Sequence, residues 1–313
     1  MKRIKAFYPQ GTDKILHVGE KGNSYYLDAI DIPLRIHQEL IKNPSVEVVE
    51  VDSRDDSVLS NSHSRELLES YKTGEPRELA ESSGLMWNEA FYRYIVNTAW
   101  VSINAFKEAV QSGKSVAITQ GGHHAEYEIG RGFGPIGNMI IAAKELISSG
   151  EVERVAILDL DVHFANGTHS LVYKNDNILS CDLWKYKLPY WKYTPNNKNV
   201  YHLKVIDSKD YKNKLTKMFD KVINFNPDLL IIFNGLDVLG SDRTGGIPGF
   251  NEAELDYRNK SVGKFIKEND YPTSIFTGGG YIDYSKPEDV VVQAKNTLTK
   301  LYVKSIFSIL GLQ

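Results

Sequence analysis

Four stretches of the chain place side chains that resist burial directly behind apolar runs: QGGHHAE after SVAIT, DLDVH after RVAIL, NGLD after DLLIIF and TGGGY after TSIF. Side chains alternate along an extended segment. Asp159, Asp161 and His163 therefore share a face with Val155 and Ile157, while Ala156, Leu158, Leu160 and Val162 face the other way. Two carboxylates side by side in a dry site cost roughly several kcal/mol each unless a cation or hydrogen bonds compensate. A bound cation is the expectation. Asp237 taken alone is ordinary turn chemistry after Gly. With Asp161 and His163 it completes a set of one imidazole and two carboxylates with coordination positions left open. Such a set suits a catalytic divalent metal, naturally Zn2+, with Fe2+, Co2+ or Mn2+ as alternatives.

His123 and His124 follow tight, Gly-containing chain, and neighbouring imidazoles in one pocket suit proton transfer. Tyr281 is one of 18 tyrosines. Its distinction is the glycine run before it, which allows close backbone approach and lets a phenol project into a site.

The elements that must position these groups alternate in type. RIKAFY, VEVVEV, SVAIT, RVAILDL, NILSC, VYHLKV, DLLIIF and TSIF are short, apolar and β-branched, and are expected to be strands. Between them, residues 32–42, 96–113, 136–150, 210–225 and 252–269 have helix-length amphipathic patterns, several ending in Gly or Asn. This order implies an α/β fold, a three-layer α/β/α domain with a mostly parallel central sheet. Ligands bind beyond the carboxyl ends of such strands, which is where the four stretches fall. Residues 52–89 and 182–199 are polar, aromatic-containing and irregular, and are expected to be elaborated surface loops.

The composition, with 42% hydrophobic residues, 25% charged residues and a formal net charge of -3, gives no electrostatic reason to expect nucleic acid or an anionic membrane. No apolar run approaches a membrane span and no signal peptide opens the chain, so a soluble, cytoplasmic protein is expected. The only cysteine, Cys181, cannot form an intrachain disulfide or a thiolate zinc cage. The 313 residues are expected to form one catalytic domain.

With these residues assembled, the chain resembles the zinc-dependent histone deacetylase superfamily, which also includes bacterial acetylpolyamine amidohydrolases. SHSRELLESYKTG, GGHHAEYEIGRGFGPIGN, LDLDVHFANGTHS, NGLDVLGSDRTGG and TGGGY occur in the family's order across most of the chain. The resemblance implies the arginase/deacetylase type of α/β fold, with Asp161, His163 and Asp237 as metal ligands. It gives His124 the role of general base and then acid, with Asn166 at the position that orients it. Asp159 becomes the partner of His123, and Tyr281 the donor to a developing oxyanion. A structural K+ is implied at Asp159, the carbonyls of Asp161 and His163, and groups near Ser180 and Cys181. Phe133 matches one aromatic wall of a substrate tunnel; Tyr190 or Trp191 is expected to form the other, with Gly122 and Gly279 alongside.

The chain also departs from the family's pattern. It reads HFA after the metal-binding strand instead of HHG, Gly134 stands where a cysteine is usual, and a PGTG loop after Asp182 is missing. HVGE at 17–20 only echoes the usual HPE. The activity implied is metal-dependent hydrolysis of an N-acyl amide, releasing acetate and an amine from acetyl-lysine, an acetylpolyamine or a related small amide. The competing readings are a catalytically silent acyl-binding module and an arginase-type ureohydrolase, the latter needing a second metal and more aspartates than these motifs offer. Glu126 and Glu128 could give an acidic rim for cationic substrates, although two solvated glutamates is the plainer reading. A homo-oligomer is compatible with the sequence.

Overall fold

The computed structural model describes residues 3–16 and 25–312; the HVGE echo lies outside the described residues. Eight strands, β1 (Ile4–Pro9), β2 (Val46–Val51), β3 (Lys114–Gln120), β4 (Val155–Asp159), β5 (Ile178–Trp184), β6 (Val200–Lys204), β7 (Leu229–Asn234) and β8 (Thr273–Thr277), coincide with the eight apolar runs. They form one sheet in the order β2-β1-β3-β8-β7-β4-β5-β6, and every neighbouring pair is parallel. The four strands that carry the chemical motifs, β3, β8, β7 and β4, are therefore consecutive in space. Their carboxyl ends meet at the middle of one sheet edge.

Helices cover both faces, which is why the central strands are apolar throughout rather than alternating with polar residues. Ala156 and Leu158 of β4 join the core formed with α1 (Tyr25–Ile41), α6 (Ser208–Phe225), α7 (Glu252–Asn269) and α8 (Glu288–Leu310). Val155 and Ile157 join the opposite core, built with α2 (Arg65–Thr73), α3 (Phe91–Ser112) and α4 (Asn138–Ser148). A further short helix, α5 (Asn166–Val172), starts beside the site. Local chemistry sets the ends. Asp207 caps α6 by accepting from the Asp210 amide, and Asn251 caps α7 by accepting from Ala253 and Glu254, each worth about 1 kcal/mol.

Two differences from the sequence expectation concern helices. Residues 52–89 are not simply surface loop: they include a 3-10 turn at Ser57–Asn61 and α2, which is capped by Ser64 at one end and Gly74 at the other. Leu59, Leu67 and Tyr71 from this stretch are fully buried. Nine residues give too short an apolar stripe to stand out, and burial against α3 completes what local propensity does not. The expected set also omits α8, although Pro287 precedes it and Gly311 follows it. No helix among the described residues is long and apolar enough to cross a membrane.

Candidate metal and catalytic site

The site is built by four turns at the strand ends. After β3, Gly122 has φ +69, and a Cβ there would lie 1.8 Å from the Ile136 carbonyl oxygen, so only glycine lets the chain turn here. The turn delivers His123 and His124 with ring centroids 3.9 Å apart. His123 Nδ1 lies 2.9 Å from Asp159 Oδ2, and His124 Nδ1 lies 2.8 Å from Asn166 Oδ1. Both rings are buried. For His123, burial alone would lower the pKa, but the Asp159 and Asp161 carboxylates outweigh it and leave it raised. For His124, burial, followed by the neighbouring His123 and His163 charges, outweighs the Asp161 carboxylate and holds it well below the ordinary histidine value. Adjacent residues with pKa values pushed apart are suited to different protonation states in one pocket.

After β4, each carboxylate is held by a backbone amide. Asp159 Oδ1 accepts from the Asp161 amide and Asp161 Oδ1 from the His163 amide, each at 3.0 Å. Asp237, in the turn after β7, accepts from the Val162 amide at 3.0 Å. The ladder ends at Asp159, so Asp161 and His163 stand in the following turn and not on the strand, yet Leu160 and Val162 still enter the same core as Ala156 and Leu158.

Ligand atoms of Asp161, His163 and Asp237 all lie within 4.8 Å of one another. His163 Nδ1 is 3.1 Å from Asp161 Oδ1 and 2.9 Å from Asp237 Oδ2, while its Nε2 is 3.3 Å from the Thr244 carbonyl. A proton on Nε2 would satisfy that carbonyl and leave the Nδ1 lone pair facing the two carboxylates, as a metal ligand requires. Burial, then the Asp161 charge, pushes Asp237 well above the usual carboxylate range. A carboxyl that resists ionisation in this way gains most from a cation, so the donor set fits a divalent ion.

After β8, Gly279 donates its amide to Asp161 Oδ2 at 2.9 Å, and a Cβ on it would fall 2.4 Å from Asp237 Oδ2. Tyr302 of α8 donates its hydroxyl to the Gly278 and Gly279 carbonyls. Tyr281 follows, its amide donating to Asp242 Oδ2 at 2.6 Å. Burial, with Asp161 and Asp237 nearby, raises the Tyr281 pKa well above its ordinary value, which keeps the phenol a donor. From α7, the fully buried Arg258 donates to the Gly235 carbonyl, to Asn234 Oδ1 and more distantly to the Leu160 carbonyl, tying the ends of β4 and β7 together.

Phe133, Tyr190 and Trp191 line a cavity of about 450 Å³ with His124, His163 and Tyr281. Trp191 packs at a tilt against His124, ring centroids 4.1 Å apart, and Tyr190 is 64% exposed at the mouth. Gly122 and Gly279 are not part of this wall; they pack beneath the site, and Gly132 lines it instead. A larger cavity of about 780 Å³ opens beside Tyr8 and His37 at the ends of β1 and β2, away from the ligand set.

At the expected monovalent-cation position, Asp159 and Asp182 are register partners on β4 and β5. Ser180 Oγ and Asp182 Oδ1 are buried without a hydrogen-bond partner. Orphaned oxygens beside two buried carboxylates fit a cation such as K+. The Cys181 side chain points into the opposite core, so only its backbone could take part.

Several residues of the site were not expected from the sequence. Glu126 is not solvated: its Oε1 accepts from Asn166 Nδ2 at 2.7 Å and lies 3.4 Å from Arg131 Nε. His63 joins the two ends of the histidine loop, its Nδ1 reaching the Glu126 carbonyl and its Nε2 accepting from the Gly137 amide. Asp242 lies inside one of the quoted motifs, but its partner, Tyr281, is 39 residues away, and sequence spacing does not reveal that contact.

The chain is similar to known proteins in sequence and in fold. The model of the histone deacetylase domain matches residues 27–295. An uncharacterised Synechocystis protein, slr0245, is 37% identical over 131 residues, covering 39% of this chain and 42% of that protein. Histone deacetylase 2 of Arabidopsis thaliana is 26% identical over 188 residues, covering 59% and 48%. Histone deacetylase clr6 of Schizosaccharomyces pombe is 27% identical over 209 residues, covering 62% and 49%. The chain thus spans somewhat under half the length of these curated relatives. Among solved structures, acetylpolyamine aminohydrolase from Burkholderia pseudomallei superposes with a TM-score of 0.76 over 98% of this chain and 99% of that one, at 15% identity, which establishes a shared fold. On the family match across most of its length, the chain belongs to the histone deacetylase domain family.

Proposed function

We propose that the protein hydrolyses an N-acyl amide, most simply an N-acetyl amide, to acetate and a free amine. The observation that carries this reading is the meeting, at one cavity, of His124, Tyr281 and the set of Asp161, His163 and Asp237. Those three residues would hold a divalent ion, Zn2+ being the natural choice, whose chemistry is polarisation of an acyl carbonyl and activation of water.

The chain's own residues supply the rest. His124 has a depressed pKa and is therefore neutral, so its Nε2 is free to take a proton from an attacking water while Nδ1 stays bonded to Asn166. His123 is paired with Asp159, which favours its charged form; it contributes positive charge next to the developing negative charge. Tyr281 keeps its hydroxyl proton and donates to the oxyanion. The proton held by His124 then passes to the leaving amine. Phe133 and Trp191 exclude water from the acyl group and its linker. Asp159, the Asp161 and His163 carbonyls, Ser180 Oγ and the Cys181 carbonyl would hold K+ behind the site.

Against a ureohydrolase, the Asp161–His163–Asp237 set is the only group of three such ligands among the described residues, and it supports a single divalent ion. Against a silent binding module, every group needed for proton transfer and oxyanion stabilisation is present. The test is acetate release from a panel of acetyl-lysine peptides and acetylpolyamines by metal-analysed protein, with and without a chelator. Chelator-sensitive release is expected. Ligand binding without release by zinc-loaded protein would favour the module.

A further inference from the structure

The mouth of the cavity has the opposite sign to an acidic rim. Glu126 turns inward to Asn166, and no aspartate or glutamate is among the described residues that line the cavity. Arg131 does line it. Its Nε lies 3.4 Å from Glu126 Oε1, an edge contact with an oxygen already shared with Asn166. Its terminal nitrogens meet no acceptor among the described residues, and its guanidinium sits 5.6 Å from the Tyr190 ring centroid. One face of the Tyr190 ring is therefore taken by a cation already.

The loop that supplies Tyr186, Leu188, Tyr190 and Trp191 to the wall reinforces this sign. Residues 183–199 contain Lys185, Lys187, Lys192 and Lys198 and no acidic residue, in a chain whose formal net charge is -3. Lys198 is paired with Asp176, and Lys187 holds the Leu188 and Trp191 carbonyls, fixing the wall. Lys192 is exposed. A polyamine tail emerging here would bring ammonium groups against Arg131 with no lining carboxylate to receive them.

Building on the deacylase reading, we propose that this mouth selects acyl amides whose amine portion ends in a carboxylate, with Arg131 as the specificity-determining residue. A planar guanidinium presenting two terminal nitrogens matches a carboxylate in a bidentate pair. The aromatic wall between His163 and Arg131 takes the apolar linker.

The test uses three acetylated probes of similar length on the zinc-loaded full chain: N-acetyl-ε-aminocaproate, its neutral primary amide, and N-acetylcadaverine. Both kcat/KM and calorimetric Kd are measured for wild type, Arg131→Gln and Arg131→Lys, at low and high salt. The carboxylate probe is expected to exceed the cadaverine probe by about tenfold in both quantities at low salt, with the gap narrowing as salt rises. Arg131→Gln is expected to bring the ratio close to one, and Arg131→Lys to retain part of it. Equal or better handling of the cadaverine probe, or a ratio unchanged in Arg131→Gln, overturns the selectivity. Arg131-dependent preference in Kd without turnover of any probe upholds the selectivity and removes the deacylase reading. Turnover without discrimination removes the selectivity alone, and neither binding nor turnover of any probe removes both.

Discussion

Asn166 Oδ1 lies 2.8 Å from His124 Nδ1, and the orientation of the Asn166 amide is fixed from behind by Glu126, which accepts from its Nδ2 at 2.7 Å. Because that amide presents its oxygen to the ring, the Nδ1 position must carry the proton and the Nε2 lone pair faces the cavity. Glu126 thus acts on the proposed base through a second residue. Glu126→Ala, which frees the amide to turn, is expected to lower kcat roughly tenfold while zinc content stays at the wild-type level. Steady-state kinetics with metal analysis checks this; an unchanged kcat would show that Glu126 does not set the orientation.

Tyr281 is placed by its backbone as much as by its ring. Tyr281→Phe is expected to retain the metal and lose about two to three orders of magnitude in kcat, the usual cost of one oxyanion donor. Asp242→Asn puts an amide donor where Asp242 Oδ2 now accepts from the Tyr281 amide, and a loss of about tenfold in kcat is expected with little change in KM. Parallel losses in kcat and in metal content would mean that these residues serve the ligand set instead.

His63 gives the fold a definite acid sensitivity. Burial lowers its pKa to about 4, against about 6.5 in the unfolded chain. Between these values the unfolded chain binds a proton that the folded chain refuses. The stabilisation is complete above about pH 6.5 and is lost as pH falls toward 4, amounting to about 3 kcal/mol. Protonation would also set a second N–H against the Gly137 amide. His63→Gln can keep one donor and one acceptor, so urea melts between pH 4 and 7 should show a slope of stability against pH shallower by about 1.4 kcal/mol per unit. Identical slopes in the two proteins would contradict the assignment.

Most of the fold could be read from the sequence because the strands are buried on both faces and appear as apolar runs, each closed by its own turn chemistry. That Asp161, His163, Asp237, the histidine pair and Tyr281 meet at one sheet edge was legible for the same reason, since each stands at a fixed offset from such a run. Helix α2 was not, because its burial depends on packing against α3 and not on its own short apolar stripe. Glu126, Arg131 and Asp242 were not, because their roles come from loop conformations that bring Asn166, Tyr190 and Tyr281 to them. An acidic side chain next to a histidine pair reads as solvated, or at most as a rim, until the fold brings Asn166 to it.

The most direct test of the account is a zinc titration of metal-stripped protein, with acetate release followed from an acetyl amide. The account predicts no release without metal, a linear rise with added zinc and a plateau at one equivalent per chain, all lost in Asp237→Ala. Release by the metal-free protein, a plateau at two equivalents, or a wild-type curve from Asp237→Ala would contradict it.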